Sequence, residues 1–315
     1  MSYNFVNTAF FDSIYGDGSR GDATITGTTT MNEDRFYNNL TISSTGILIP
    51  NNYRIFVKEK LEIQAGGAIR HSGKNAAGTL PGGNIQIGGT LRSFGRIGAN
   101  PRFADVTLNL TGSGSQTDGG TNLNVTSQPF VPGNNTLFGA GSTATFTGWN
   151  GGNGGSATLS GGTGYAGTLL AIEGTSRSLI YLLKTGYFGG GAGIFLTTEL
   201  GCGPGGASGA VDAGNPATDY GGPGGGGGGG ILIFAKEILN NGTIEAKGGN
   251  GATGAHATAK AGGGGGGAGG VIITVCRFPT KLGTLDVSGG TGGAGVNGGS
   301  AGGQGNTGLV MSFNC

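Results

Sequence analysis

Residues 222–251 read GPGGGGGGGILIFAKEILNNGTIEAKGGNG, and residues 261–292 read AGGGGGGAGGVIITVCRFPTKLGTLDVSGGTG. Both pass from a glycine run into an apolar strand, a short connection, a G-T-(I/L)-(D/E) element and a Gly-Gly pair. Ile231 aligns with Val271 at an offset of 40, Ile244 aligns with Leu285 at 41, and Gly248–Gly249 align with Gly289–Gly290. A degenerate copy begins at Gly82, where Gly95, Ile97 and Ala99 mirror Gly242, Ile244 and Ala246. Matched apolar positions predict that Ile231, Ile233, Ile244, Val271, Ile273 and Leu285 are buried at equivalent places in the two copies.

Closer to the N-terminus a shorter unit recurs. NLTISSTGIL from Asn39 aligns with KLEIQAGGAI from Lys60 at an offset of 21, so that Leu40, Ile42 and Gly46 fall on Leu61, Ile63 and Gly67. A third copy, with a shorter turn, is Ile85–Leu91. Apolar and polar residues alternate as in half-buried strands, and the glycines supply the turns. Fixed periods of this kind point to stacked repeats. The predicted fold is all-β: β-solenoid-like repeats with a glycine-rich region and almost no helix. The best helical candidate, SRSLIYLL over Ser176–Leu183, is short and equally compatible with a strand. The predicted organisation is an attachment segment over 1–35, solenoid-like repeats over 36–130, and a glycine-rich region with repeats of about 40 residues over 131–315.

The uninterrupted runs Gly224–Gly230 and Gly262–Gly267 admit two readings. They are flexible tethers, or they are polyglycine II helices of three residues per turn packed side by side, with neighbours satisfying one another's backbone groups. ILIF and VIIT directly abut the runs, which favours packing, because a tether separates domains.

Composition narrows the function. Glycine accounts for 77 of 315 residues, only 10% are charged, and 17 basic residues are scattered among 16 acidic ones. Low charge and many β-branched residues argue against a disordered chain. The lack of basic clusters argues against a nucleic-acid partner. No run of about 18 apolar residues predicts membrane insertion. The opening MSYNFVNTAFFDSIYGDGSRGD lacks the basic and apolar regions of a signal peptide, so synthesis in the cytoplasm is expected. Cys202, Cys276 and Cys315 lack the spacing of a disulfide framework or zinc site.

The stretch YGDGSRGDATITGTTTMNEDRFYNNLTI resembles the opening of glycine-rich structural proteins of tailed-bacteriophage virions. The resemblance rests on Gly16, Asp17, Gly18, Gly21 and Asp22, followed by Tyr37, Asn38, Asn39, Leu40 and Thr41. The glycine-rich half is similar in composition to phage tip adhesins, in which packed polyglycine helices present receptor-binding loops. This resemblance implies a virion protein made in the host cytoplasm, present in many copies or as a homo-oligomer, and in contact with other virion proteins. A tail-fibre or tip role implies contact with a host glycan or outer-membrane protein; a capsid-decoration role is the alternative.

Candidate chemistry is sparse. Asp12, Asp17 and Asp22 recur every five residues, but without the alternating ligands and closing Glu of a calcium loop, so local turn bonds are expected. Arg20-Gly21-Asp22 belongs to the same glycine-rich turn. A polysaccharide-degrading tailspike requires paired carboxylates. Glu59, Glu62, Glu173, Glu199, Asp212, Asp219, Glu237 and Glu245 form no recognisable pair. His71 and His256 lie near no triad motif, and His71, just after a predicted strand, is expected at the surface. Gly73-Lys74-Asn75 fails as a phosphate loop at its third position. No enzyme activity, metal or cofactor is expected. Host-contact candidates are the aromatics set among glycines: Trp149, Tyr165, Tyr187, Phe188 and Tyr220. Such aromatics provide contact area at low entropy cost, or else they cap a lattice that has no side chains of its own.

Overall fold

In strand β10 (Gly230–Asn240), alternate residues enter different cores. Ile231, Ile233 and Ala235 join one apolar cluster, while Leu232 and Phe234 join another. A strand covered on both faces reads as a continuous apolar run, as strands in parallel sheets do; this is the physical meaning of ILIF and VIIT. The computed structural model describes residues 14–51, 53–78, 151–157, 206, 209, 211 and 220–314, and the backbone of 117–118 and 121–122.

The first sheet contains β1 (Ala23–Ile25), β4 (Leu40–Ile42), β6 (Ile55–Ile63), β10, β12 (Val271–Lys281) and β14 (Leu309–Asn314), in that order, with β3 (Arg35–Tyr37) also pairing with β6. The second sheet runs β13 (Thr284–Asp286), β11 (Thr243–Glu245), β7 (Ala68–Arg70), β5 (Ile47–Ile49), β2 (Thr28–Thr30). Every pairing within these two sheets is parallel. A small antiparallel pair, β8 (Thr117–Asp118) with β9 (Thr121–Asn122), stands apart. Among the described residues there is no helix.

Each long strand of the first sheet passes through a corner into a short strand of the second. The corners are closed by local bonds such as Gly46 N–H to Ser43 O and Gly67 N–H to Gln64 O, both 2.9 Å. At the β10–β11 corner, buried Asn240 donates to Leu282 O at 2.7 Å and accepts from Gly242 N at 2.9 Å, linking two successive corners. The inner core lies between the sheets: Leu40, Ile42, Ile63 and Ile233 from the first meet Leu48, Ile69 and Ile244 from the second. On the outer face of the first sheet, Phe36, Phe56 and Phe234 occupy one register column and stack at 4.6 and 4.9 Å between centroids. The second sheet's outer face carries ions: Arg70 pairs with Glu245, and Lys247 lies 3.4 Å from Glu245 and 3.3 Å from Asp286. Burial opposes the Lys247 charge, but these carboxylates outweigh it and hold the amine above its usual value.

Two sequence expectations are corrected here. The first is the β-solenoid: the described residues form two sheets of parallel strands rather than the coils of a solenoid. The edge of β6 is taken by β10, so that Glu59 meets Lys236 across 177 residues of chain. The Ile85–Leu91 copy and the Gly82 copy lie outside the described residues. A period-2 pattern specifies a strand and its faces; which strand takes its edge depends on where the chain returns. The strands also differ in length, from three residues in β4 to nine in β6 and eleven in β10, unlike uniform coils.

The second correction concerns register. The offset of 21 holds, since Leu40 pairs with Leu61 and Ile42 with Ile63. In the longer repeat, however, Ile231 pairs with Ile272 rather than Val271, giving the same offset of 41 that joins Ile244 to Leu285. A shift of one residue exchanges faces. Val271 and Ile273 therefore fill the outer core, opposite Ile231 and Ile233 in the inner one, and Leu285 is only half-buried.

A glycine lattice and its far tip

Glycine tracts extend from one end of the two-sheet body. Residues 221–229 lead into β10, 261–270 into β12 and 299–308 into β14; residues 71–76, 246–254 and 287–294 leave β7, β11 and β13. Their hydrogen bonds repeat every third residue. Gly222, Gly225 and Gly228 donate to the carbonyls of Gly262, Gly265 and Ala268, each at 2.9 Å. Gly263, Gly266 and Gly269 donate to Ser300, Gly303 and Asn306. Gly264, Gly267 and Gly270 donate to Ala252, Gly249 and Ala246. Successive residues of the 261–270 tract therefore face different neighbours, the three-residue turn of an extended helix whose backbone bonds are all lateral.

The 151–156 tract adds donors from Gly152 and Gly155 to Gly266 and Gly263, both at 2.7 Å. The spacing leaves no room for side chains: a Cβ on Gly265 would run into the Gly152 carbonyl, and one on Gly264 into that of Pro223. Gly73 and Lys74 belong to this lattice, with Gly73 N–H bonded to Lys247 O and Lys74 O accepting from Gly226.

His71 sits where lattice and body join. Expected at the surface, it is in fact 2% exposed. Its Nδ1 donates to Gly230 O at 2.9 Å, while its backbone N–H bonds to Glu245 O and its carbonyl accepts from Gly229. Nε2 is buried and has no partner among the described residues. Burial holds this imidazole below its usual value, against the pull of the Gly230 carbonyl. The strand–Gly alternation placed the residue correctly after β7, but the lattice that covers it was not visible in local sequence.

At the far end the tracts turn back through loops 254–261 and 294–299, and these form the candidate contact tip. Ala255 exchanges backbone bonds with Tyr220 at 2.7 and 2.8 Å, and Ala261 bridges both Val211 and Val296. The backbone N–H groups of Thr258 and Ala259 donate to His256 Nδ1 at 3.1 and 2.8 Å, so the ring proton resides on Nε2. Asn297, at φ 50°, donates from Nδ2 to His256 O at 2.7 Å and Ala259 O at 3.0 Å, tying the two loops together. Thr258 and Lys260 are exposed on this framework.

Of the predicted contact aromatics, Tyr220 is half-buried at the tip. Trp149, Tyr165, Tyr187 and Phe188 lie outside the described residues. Sequence reasoning missed Asn297 and His256. The Asn297-Gly298 dipeptide was the available signal for the first, because both residues adopt positive φ, as such turns require. Nothing local announced the second.

The remaining candidates serve the fold. Asp17 accepts from Ser19 N at 2.9 Å, and Asp22 accepts from Asn38 and from both nitrogens of Asn39. Arg20 pairs with Glu33. Glu59 and Glu62 pair with Lys236 and Lys60, Glu237 accepts from Thr280, and Glu245 binds Arg70. Asp12, Glu173, Glu199, Asp212 and Asp219 lie outside the described residues, as do Cys202 and Cys315; Cys276 is buried, its thiol donating to Asn314 Oδ1 at 3.7 Å. Among the described residues no cluster of His, Cys, Asp or Glu could hold a metal ion, and no helix is long and apolar enough to cross a membrane. Comparison with family models, with curated proteins and with solved structures gave no match for this chain.

Proposed function

We propose that this chain is a non-enzymatic structural protein on the surface of a tailed-phage virion, and that it acts as a fibre or tip component touching the host. The observation that supports this reading is the far tip. Two loops are tied together by Asn297 and His256 and held by a backbone lattice in which little can move independently. Loops fixed on a rigid scaffold are suited to recognition, because binding orders little further. The exposed groups there, Thr258 and Lys260 beside Tyr220, suit polar contact with a host glycan or outer-membrane protein. Other virion proteins would hold the opposite end.

The test uses virions carrying Thr258→Asp together with Lys260→Glu, surface changes that leave the lattice intact. Host adsorption should fall at least tenfold, while assembly and particle stability are unchanged. Unaltered adsorption with particles that lose capsid stability would reject the tip role and favour capsid decoration. Labelling the protein on intact virions then locates it on tail or head. Purified protein should release no sugar from host polysaccharide.

A further inference from the structure

The body ends in two steps of opposite sense. At one end, β14 lies along Val271–Cys276. Among the described residues, no strand pairs with the outer edge of Phe278–Lys281 or of β13. At the other end, the half-layer formed by β1 and β2 covers the opposite half. The registers run Ala23–Leu40–Leu61–Ile238–Pro279 in the first sheet and Thr28–Ile47–Ala68–Thr243–Thr284 in the second. The half occupied by β14 corresponds to β3, through Phe36, Phe56, Phe234, Val275 and Phe313. β3 pairs with β6, and the chain leading into β1 bonds to its other side through Arg20 N–H to Phe36 O. Among the described residues, the β12–β13 end therefore lacks the half-layer with which the β1–β2 end begins.

We propose that the chain assembles head to tail with a second copy of itself, β1 and β2 of one copy completing the half-layer beyond β12 and β13 of the next. Because all strands in these sheets are parallel, a copy displaced along the stack arrives in the right orientation without rotation. β2 and β13 are both three residues long, so Thr28–Thr30 can pair along the whole of Thr284–Asp286. The apolar surface left open agrees. Phe278, the most exposed large apolar residue among those described at 54%, lies at this step. Leu282 and Leu285 near it are only partly covered.

Charge agrees as well. Asp22, which precedes Ala23, falls in the Phe278 column, and Lys281 lies two columns further along. Asp17 adds negative charge on the β1 side. Pro279 has no N–H to donate, so the second sheet supplies most of the new backbone bonds. A head-to-tail contact of this kind does not close on itself and propagates.

The experiment uses the purified full chain and two surface variants. Thr28→Lys with Thr30→Lys blocks one end, and Phe278→Lys with Thr284→Lys blocks the other; all four residues are exposed. By analytical ultracentrifugation the unmodified chain should show a mass-average that grows with concentration. Each variant alone should stay monomeric, and an equimolar mixture should double in mass and grow no further. A monomeric unmodified chain, a variant that still self-associates, or a mixture that does not dimerise would overturn the proposal. Should either variant melt at a lower temperature, cross-linking replaces it. Thr28→Cys and Thr284→Cys chains, with Cys202 and Cys315 changed to Ser, are mixed and oxidised. Adjacent strands are about 4.8 Å apart, within disulfide reach. Covalent dimer in the mixture, and in neither chain alone, is expected; its absence overturns the proposal.

Discussion

The two-sheet body and the glycine lattice solve one problem in opposite ways. Both must satisfy backbone hydrogen bonds away from water. In the body, strands pair edge to edge in two directions, and side chains fill the space above and below, as Ile233 and Phe234 do on opposite faces of β10. In the lattice each tract bonds in several directions at once, so the space that side chains would occupy is filled by other backbones. The first arrangement tolerates changes of size to a degree; the second does not. Within the covered tracts the side chains are small, such as Ala246, Ala261 and Ala268, and exposed ones appear at the rim. The central run 262–267 is all glycine; the 289–294 tract reads G-G-T-G-G-A, with Thr291 and Ala294 exposed; the outer tract 300–308 keeps Gly302, Gly305 and Gly308 inward and exposes Ala301, Gln304 and Thr307. The number of glycines per three-residue turn reports how many sides of a tract are covered.

The contrast should be most visible at Gly265. Gly265→Val must displace the Gly152 carbonyl and the tract that carries it, and should cost about 3 kcal/mol or more, read as loss of the cooperative thermal transition; an unchanged melting temperature would contradict the packed lattice. In the body, Ile233→Ala removes side-chain volume without moving backbone and should cost about 2–5 kcal/mol in denaturant unfolding, with the fold retained.

At the junction, His71 makes stability depend on pH. Its folded value lies below the ordinary 6.5. Between those two values the unfolded chain binds a proton that the folded chain refuses. The stabilisation from neutral His71 is complete above about pH 6.5 and is lost as pH falls through the window. The neighbouring charges of Arg70, Glu245 and Lys247 belong to the same joint. Titration of the melting temperature between pH 7.5 and 5 should show a decline that His71→Phe reduces; equal slopes in both proteins would remove His71 as the cause. The smallest effect belongs to the lattice rim: Gln304→Val, chemically as drastic as Gly265→Val, should change stability by no more than about 0.5 kcal/mol.

Much of the body was legible in the chain because its signal is local. The 21-residue offset predicted the pairing of Leu40 with Leu61, and the apolar runs ILIF and VIIT marked strands, though not their burial on both faces. The longer repeat misled by one residue, because Ile231 aligns almost equally well with Val271 or Ile272 when all their neighbours are apolar, and only pairing distinguishes them. The tip was less legible still. Tyr220 was singled out for its aromatic ring, yet the loops are held by Asn297 and His256, whose partners come from a different turn of the chain.

Taken alone, the amino-acid order determined strand positions, corner positions and the three-residue rhythm of the glycine tracts, since each follows from backbone geometry over a few residues. Tertiary structure decided everything that depends on return of the chain: that β10 lies beside β6; which core receives Val271 and Ile273; that His71 is buried; and that, among the described residues, the two ends of the body form steps. Edge groups on a parallel strand bond equally well to any strand of suitable length, so local sequence leaves the partner open, and only the packing of the whole chain selects it.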